Sequence, residues 1–477
     1  METPLSGDAT GRRNGVTPGR PRNVIVIFSD QLRSFELGCY GNAEVNTPHI
    51  DALARSGTRF ELGISNSPTC VPSRSNLLTG QYSRSCVGSR ANEMAEGSFG
   101  RNDRKKHPDA VLPEILRGEG YATAIIGKWH IDTRPTLLGF DTSVIPTKDY
   151  YTKGSVSENE GASRRVPGFT TDYEIAAVRD YIREAGEEPF FLFYNITPPH
   201  MPINDVPYRY SHMYDPRSVS LRENVWIDGT LARDEQWFQV YLREEPFYYS
   251  DYEPVTAKIQ PEFTLRSLTA LYRGSVTWVD DLVGVVMSTL EERGLVDDTL
   301  VVFAADHGDQ LGSHHLWNKA RLYEESIRVP MIYSWPRGLP SGTTSAIQLA
   351  SVVDIMPTVL DACGIDVPDY VQGRSLLPIL EQSADVLPDN FAFIETPYRE
   401  IGIRSPTALY GALVGADDRS IENSTYCYYD IQNDPFERDN VVGREPNGAQ
   451  EAELRRRLLE WDAATPRLDS QVYKPWV

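Results

Sequence analysis

Asn23-Val24-Ile25-Val26-Ile27-Phe28-Ser29-Asp30-Gln31 sets a run of β-branched and aromatic residues directly against a carboxylate and a carboxamide. A half-exposed strand would alternate polar and apolar positions. A short run that is apolar at successive positions reads instead as a strand buried on both faces. Residues 122–126, 189–194, 299–304 and 330–334 repeat this pattern as short runs rich in Val, Ile and Phe, and all five are expected to be buried parallel strands. Helical patterns lie between them. Residues 47–57 place Thr47 as N-cap, Pro48 at the first helical position and Gly57 as the stop. Residues 113–118 form a second short helix. Residues 264–293 carry Leu265, Leu268, Leu271, Val279, Leu282, Val286 and Leu290 at three-to-four spacing, ended by Gly294. Strands alternating with helices define an α/β fold, a large, mostly parallel sheet sandwiched by helices.

Every strand but the last runs into a polar cluster. Asp30-Gln31 closes the first, Lys128-Trp129-His130 follows the second, Pro198-Pro199-His200 the third, and Asp306-His307-Gly308 the fourth. Ligands of open α/β sheets bind beyond the carboxyl ends of the strands. The histidines agree: of 8 in the chain, His130, His200, His307, His314 and His315 lie in these clusters or just after them. Asp30, Gln31, Asp306 and His307 offer carboxylate, amide and imidazole donors from two strand ends. That oxygen-rich set suits Ca²⁺ or Mg²⁺, and the imidazole leaves Mn²⁺ open. Lys128 and His130 stand at alternate positions, so they share a face if the strand runs on, with Trp129 turned into packing. A lysine there neutralises an anion, and a histidine serves as general base.

Composition narrows the partners. The chain has 477 residues, 40% hydrophobic and 24% charged, with a formal net charge of −20. A nucleic-acid surface needs a basic face, so nucleic acid is not expected. An anionic substrate requires a locally built positive site. No apolar run approaches the roughly 20 residues of a membrane span. Residues 1–22 are rich in Gly, Arg, Pro and Thr without a hydrophobic segment, which predicts a disordered tail and a cytoplasmic protein. Cys39, Cys70, Cys86, Cys363 and Cys427 are scattered without metal-site spacing and are expected to be reduced, the four other than Cys70 as small buried residues. Residues 23–380 form the catalytic domain. Within it, 201–262, rich in Tyr, Pro, Trp and acidic residues, is a substrate-side insertion. Residues 381–477 form a small α+β subdomain.

The remaining motif is Cys70-Val71-Pro72-Ser73-Arg74-Ser75-Asn76-Leu77-Leu78-Thr79-Gly80. Ser73–Thr79 can continue as a helix whose N-terminus presents free N–H groups beside Cys70, and Arg74 sits one turn along, able to hold an oxyanion. This stretch resembles the signature of the type I sulfatases of the alkaline-phosphatase-like superfamily. Gly127-Lys128-Trp129-His130, Asp306-His307-Gly308-Asp309-Gln310-Leu311-Gly312, Arg328-Val329-Pro330 and Asp354-Ile355-Met356-Pro357-Thr358 extend the resemblance, as do Gly373-Arg374-Ser375-Leu376 and residues 429–437.

The resemblance implies hydrolysis of sulfate esters by a formylglycine diol made from Cys70. The diol attacks sulfur beside a divalent metal, most often Ca²⁺, held by Asp30, Gln31, Asp306 and His307, with the modified Cys70 as a further ligand. Arg74, Lys128 and Lys319 then offset charge, His200 or Lys319 protonates the leaving alcohol, and His130 takes the proton that releases sulfate. His314 and Asn92 are implied substrate contacts. The expected partners are a small-molecule or glycan sulfate ester and a formylglycine-generating maturation enzyme; a homo-oligomer is left open. Many arylsulfatases have Asp-Asp at the first metal pair. Asp30-Gln31 is similar instead to choline sulfatases, phosphonate monoester hydrolases and some polysaccharide sulfatases. Lys128 and His130 favour a sulfatase, and the aromatic, polar insertion favours a sulfated carbohydrate. The alternatives are a phosphonate monoester or phosphodiester hydrolase and a catalytically silent sulfoglycan-binding protein.

Overall fold

A computed structural model of the chain describes residues 19–87, 107–148, 154–225, 241, 247–250, 253–256, 264–415, 421–445 and 448–468. Asn92, the 1–18 segment and much of the 201–262 insertion lie outside the described residues.

The first half contributes strands β1 (Asn23–Asp30), β2 (Thr58–Ile64), β3 (Ala122–Gly127), β4 (Thr142–Lys148), β5 (Ser155–Glu158), β6 (Arg164–Arg165) and β7 (Phe190–Pro199). A hairpin, β8 (Phe247–Ser250) and β9 (Glu253–Thr256), falls in the insertion. The second half adds β10 (Thr299–Ala305), β11 (Met331–Ser334) and β12 (Thr343–Ser351). Ten strands form one sheet in the order β12-β2-β11-β10-β1-β7-β3-β4-β5-β6. The central five, β10, β1, β7, β3 and β4, are mutually parallel. Val24, Ile25, Val26, Ile27 and Phe28 are all 0% exposed. Each such side chain contributes roughly 1.5–3 kcal/mol of burial, which is why an unbroken apolar run occupies the middle of the sheet.

The strand at 331–334 departs from expectation: β11 pairs antiparallel with β10 and with β2. A parallel return would need a crossover to the opposite end of the sheet. Residues 306–330 hold only loops and short helical turns, so the chain re-enters from the end it left.

The main helices are α1 (Pro48–Arg55), α2 (Cys70–Thr79), α3 (Leu112–Gly118), α4 (Thr170–Glu184), α5 (Leu265–Glu292), α6 (Ile355–Ala362) and α7 (Gly448–Ala464). The long α5 packs against α1, α4 and β7, while α2 packs against α3 and α6. Thr47 does not cap α1 as expected: its hydroxyl accepts from Gly38 N–H. Asp280 of α5 accepts the Ile50 amide at 2.7 Å and takes that place. A cap from another helix ties α1 to α5 as well as satisfying its end.

After residue 391 the chain builds a four-stranded antiparallel sheet, β13 (Ala392–Glu395), β14 (Glu400–Arg404), β15 (Leu409–Val414) and β16 (Ile421–Tyr429). Its core includes Ile401, Ile403, Tyr410 and Tyr428 with Leu454, Leu458 and Trp461 of α7. Trp461 stacks on Phe393 at 4.9 Å and meets Tyr82 edge-on at 5.1 Å, joining this sheet to the segment after α2.

Candidate active site

Parallel pairing fixes where the polar clusters lie. Asp30 is in register with Pro199, Ser29 with Ala305, and Gly127 with Asn195. Four chain segments therefore leave the sheet side by side, carrying Asp30, Asp306, Lys128 and His200. Gly127 has φ +95°, and a Cβ there would lie 2.0 Å from the Asn195 carbonyl oxygen. Only glycine permits that approach.

Helix α2 begins at Cys70 itself, one turn earlier than the Ser73 start, with Thr69 as the preceding extended residue. Cys70 and Arg74 are both fully buried. Around the Cys70 Sγ stand Lys319 Nζ at 2.8 Å, His307 Nε2 at 3.3 Å, Asp30 Oδ1 at 3.6 Å and Lys128 Nζ at 4.0 Å. His130 also hydrogen-bonds the sulfur. Burial alone would push the thiol up, but Lys128, Lys319 and His307 outweigh it and hold Cys70 well below the usual thiol range. The cations around an unmodified Cys70, together with the helix N-terminus, therefore favour its ionised form.

Lys128 and His130 do converge on one atom, though not by strand alternation. The strand ends at Gly127, and His130 has φ +50°. The left-handed turn brings the imidazole back to Cys70. Trp129 packs inward as expected, 1% exposed and edge-on to Phe140 at 5.6 Å. Burial, together with Lys128, lowers the His130 imidazole to about 4.

The carboxylates are shared among the cations. Asp30 Oδ2 accepts from Lys128 Nζ at 2.6 Å and Arg74 Nη2 at 2.7 Å. Burial raises Asp30, but Lys128, His200 and Arg74 together hold it far below the carboxylate range. Asp306 Oδ1 accepts the Gln31 and His307 backbone amides, each at 2.9 Å. Its Oδ2 lies 3.1 Å from Arg74 Nη2 without hydrogen-bond alignment. Burial and the charge of Asp30 push Asp306 up to about 6. His307 Nδ1 donates to the Gly308 carbonyl at 2.8 Å, so Nε2 faces Asp30 and Asp306. His200 Nδ1 donates to the Met201 carbonyl at 2.7 Å, leaving Nε2 4.0 Å from Asp30 Oδ1.

Ligand atoms of Asp30, Cys70, Asp306 and His307 all lie within 4.8 Å of one another. Asp306 Oδ2 and Gln31 Oε1 are buried oxygens without a hydrogen bond. Two carboxylates that repel in a buried space, a Gln31 carboxamide oxygen with no hydrogen bond and an imidazole held by its far nitrogen fit a divalent cation.

Of the residues expected at the site, Asp30, Gln31, Cys70, Arg74, Lys128, His130, His200, Asp306, His307 and Lys319 are brought together. His314 sits in a second buried cluster, stacked on Tyr323 at 3.8 Å and within 3.0 Å of Asn224 Nδ2. Two residues at the site had no assigned role. Asn195 accepts from Arg74 Nη1 at 3.4 Å. Asp309 accepts from the Gln31 side chain. Asp309 had a signal, a second aspartate three residues after Asp306; Asn195 sits inside an apolar strand with none.

A family model described as Sulfatase matches residues 22–365. The chain belongs to the sulfatase family of sulfuric ester hydrolases. It is 26% identical over 453 residues to the ulvan-active sulfatase of Formosa agariphila, covering 90% of this chain and 78% of that protein. It is 27% identical over 495 residues to the N-acetylglucosamine-6-O-sulfatase of Bacteroides thetaiotaomicron, covering 92% and 86%. Among solved structures, that of BT4656 in complex with D-glucosamine-2-N,6-O-disulfate shares the fold with a TM-score of 0.76 at 24% identity, over 95% of this chain and 98% of that one. A phosphonate monoester hydrolase of Agrobacterium radiobacter shares it with a TM-score of 0.69 at 22% identity, over 94% and 97%.

Proposed function

We propose that this chain hydrolyses a sulfate monoester carried on a carbohydrate, using a formylglycine made from Cys70. The observation that carries the reading is the cage at Cys70, where Lys319, His307, Asp30, Lys128 and His130 all reach one buried sulfur. The sulfated glycan is supported by the printed activities of the ulvan-active and N-acetylglucosamine-6-O-sulfatase relatives.

As formylglycine hydrate, position 70 supplies two hydroxyls, one to attack sulfur and one to release it. Asp30, Gln31, Asp306 and His307 would hold a divalent cation, Ca²⁺ first and Mg²⁺ or Mn²⁺ next, that supplies Lewis-acid polarisation. Arg74, Lys128 and Lys319 orient the sulfate oxygens and offset the charge that builds on them. His200, at the rim with its side chain 16% exposed, would give a proton from Nε2 to the departing alcohol only as the imidazolium, a form that burial and Lys128 disfavour, and Lys319 is the other donor. His130, against the sulfur and low in basicity through burial, takes the proton of the second hydroxyl.

The test is the mass of the peptide containing Cys70 after co-expression with a formylglycine-generating enzyme, followed by turnover of sulfated monosaccharides. An aldehyde mass with sulfate release sustains the proposal, whereas cysteine persisting under those conditions sinks it. Aryl sulfate and aryl phosphonate rates compared on the matured protein decide between sulfatase and phosphonate hydrolase. Sulfate cleavage slower by orders of magnitude would reverse the assignment.

A further inference from the structure

Gln31 is held on every side but one. Its φ is +65°, its backbone N–H donates to Asp306 Oδ1 at 2.9 Å, and its carbonyl accepts from Tyr272 Oη at 2.6 Å. The side-chain Nε2 donates to Asp309 Oδ2 and to Asn318 Oδ1, the latter at 3.3 Å. Asp309 presents only acceptors to these partners: its other oxygen, Oδ1, accepts from Tyr241 Oη at 2.5 Å and from Leu311 N–H at 2.7 Å. A carboxylate facing a carboxamide admits only the nitrogen. The carboxamide oxygen must then point the opposite way, and Gln31 Oε1 is the atom buried without a hydrogen bond.

The same network reaches the other side of the site. Tyr241, fully buried, accepts the Asn318 backbone N–H at 2.6 Å on the hydroxyl that donates to Asp309. Residue 318 has φ +66° and immediately precedes Lys319, whose ammonium is 2.8 Å from the Cys70 sulfur. One phenol therefore bridges the group that orients Gln31 and the backbone that aims Lys319. It comes from the 201–262 insertion.

We infer that Asp309 and Tyr241 are a positioning pair, Asp309 fixing the Gln31 carboxamide with its oxygen toward the cation pocket and Tyr241 locking the Lys319 turn to that same carboxylate. The inference rests on the reading of Asp30, Gln31, Asp306 and His307 as cation ligands. It gives the insertion a second task besides shaping the substrate wall: it holds the cation side and the lysine side of the site in register.

The experiment is calorimetric titration of chelator-stripped protein with Ca²⁺. Wild type, Asp30→Asn, Gln31→Ala, Asp309→Asn and the Gln31→Ala/Asp309→Asn pair are compared. Asp309→Asn should weaken Ca²⁺ about 10–100-fold, the usual cost of losing a partner that orients a ligand. In the Gln31→Ala background it should cost nothing more, because the group it orients is gone. Equal losses in both backgrounds would make Asp309 merely structural and overturn the inference. Ca²⁺ binding by Asp309→Asn as tight as wild type, with Asp30→Asn deficient, would overturn it while sparing the cation reading. Asp30→Asn binding like wild type would remove that reading and this inference together.

Tyr241→Phe deletes a single oxygen and tests the other arm. Ca²⁺ affinity should change less than about threefold while kcat falls at least about tenfold at nearly constant KM, the pattern of a group acting through the lysine in the transition state. An unchanged kcat would discard the Tyr241 link.

Discussion

Two of the buried charge clusters among the described residues are wired differently. Around Cys70, cations outnumber what their carboxylates need. Lys128 and Arg74 share one oxygen of Asp30, and Lys319 faces the sulfur. Around Glu324, Glu325 and Glu437 the pairing is largely one to one. Arg404 meets Glu324 at 2.8 Å and Arg222 meets Glu325 at 2.7 Å, while Glu437 accepts the Glu324 amide at 2.8 Å. The first arrangement leaves positive charge aimed at the Cys70 sulfur; the second ties the 313–328 segment to the small sheet through Arg404 and to the 201–262 stretch through Arg222. Both are buried and both perturb titration, so perturbation alone does not mark the site. Convergence of several charged groups on one buried sulfur is what separates the first cluster from the second.

Substitutions sharpen this contrast. The largest effect is expected from Cys70→Ala, which should abolish turnover of the matured enzyme while leaving the thermal midpoint near wild type; residual activity close to normal would refute the nucleophile. Lys128→Ala and His130→Ala should each lower turnover at least about 10²-fold, as for lost charge-stabilising or acid–base groups. Rates equal to wild type would take them out of the chemistry.

The clamp should answer in the opposite currency. Arg404→Ala leaves Glu324 with Arg328 alone, 3.7 Å away, and is expected to cost up to about 3–5 kcal/mol of stability, read by denaturant unfolding. Activity per folded molecule should change little, and a selective loss of activity would erase the distinction between the clusters. The smallest effect concerns Glu437. Burial and the neighbouring Glu324 and Glu325 hold its carboxyl well above the usual range. A raised folded-state value means stability is complete at low pH and drains away as pH climbs from the unfolded value through the folded one. Glu437→Gln, which has no proton to lose, should therefore gain on wild type as pH rises from 5 to 8. A constant difference across that interval would contradict the assignment.

Much of this was legible because strand ends are written in sequence. A run such as 23–29 predicts a buried strand, and the polar residues that end it must lie at the sheet edge where ligands bind. Cys70, Lys128, His130, His200, Asp306 and His307 were found that way or through the family signature. What escaped depends on tertiary context. The antiparallel β11 is apolar like its parallel neighbours, and only the missing crossover reveals its direction. Thr47 has every local mark of a cap, yet Asp280, 230 residues from Ile50, displaces it. Strands β2 and β12 carry no unbroken apolar run of the kind that marks β1, and Tyr241 looks like any aromatic in a polar stretch until its hydroxyl is seen between Asp309 and Asn318.

Arg74 is 0% exposed and Lys128 1%. Charge so deep is invisible from outside beyond the screening distance, about 8 Å in physiological salt. An incoming sulfate ester first senses the whole protein, whose formal net charge is −20. Encounter is thus repulsive at long range and attractive only on arrival. For a polyanionic substrate, moderate salt should speed capture by quieting that repulsion, whereas a singly sulfated sugar should barely notice. The same enzyme would in this way favour short, lightly charged fragments over intact polymers without a single contact that distinguishes them.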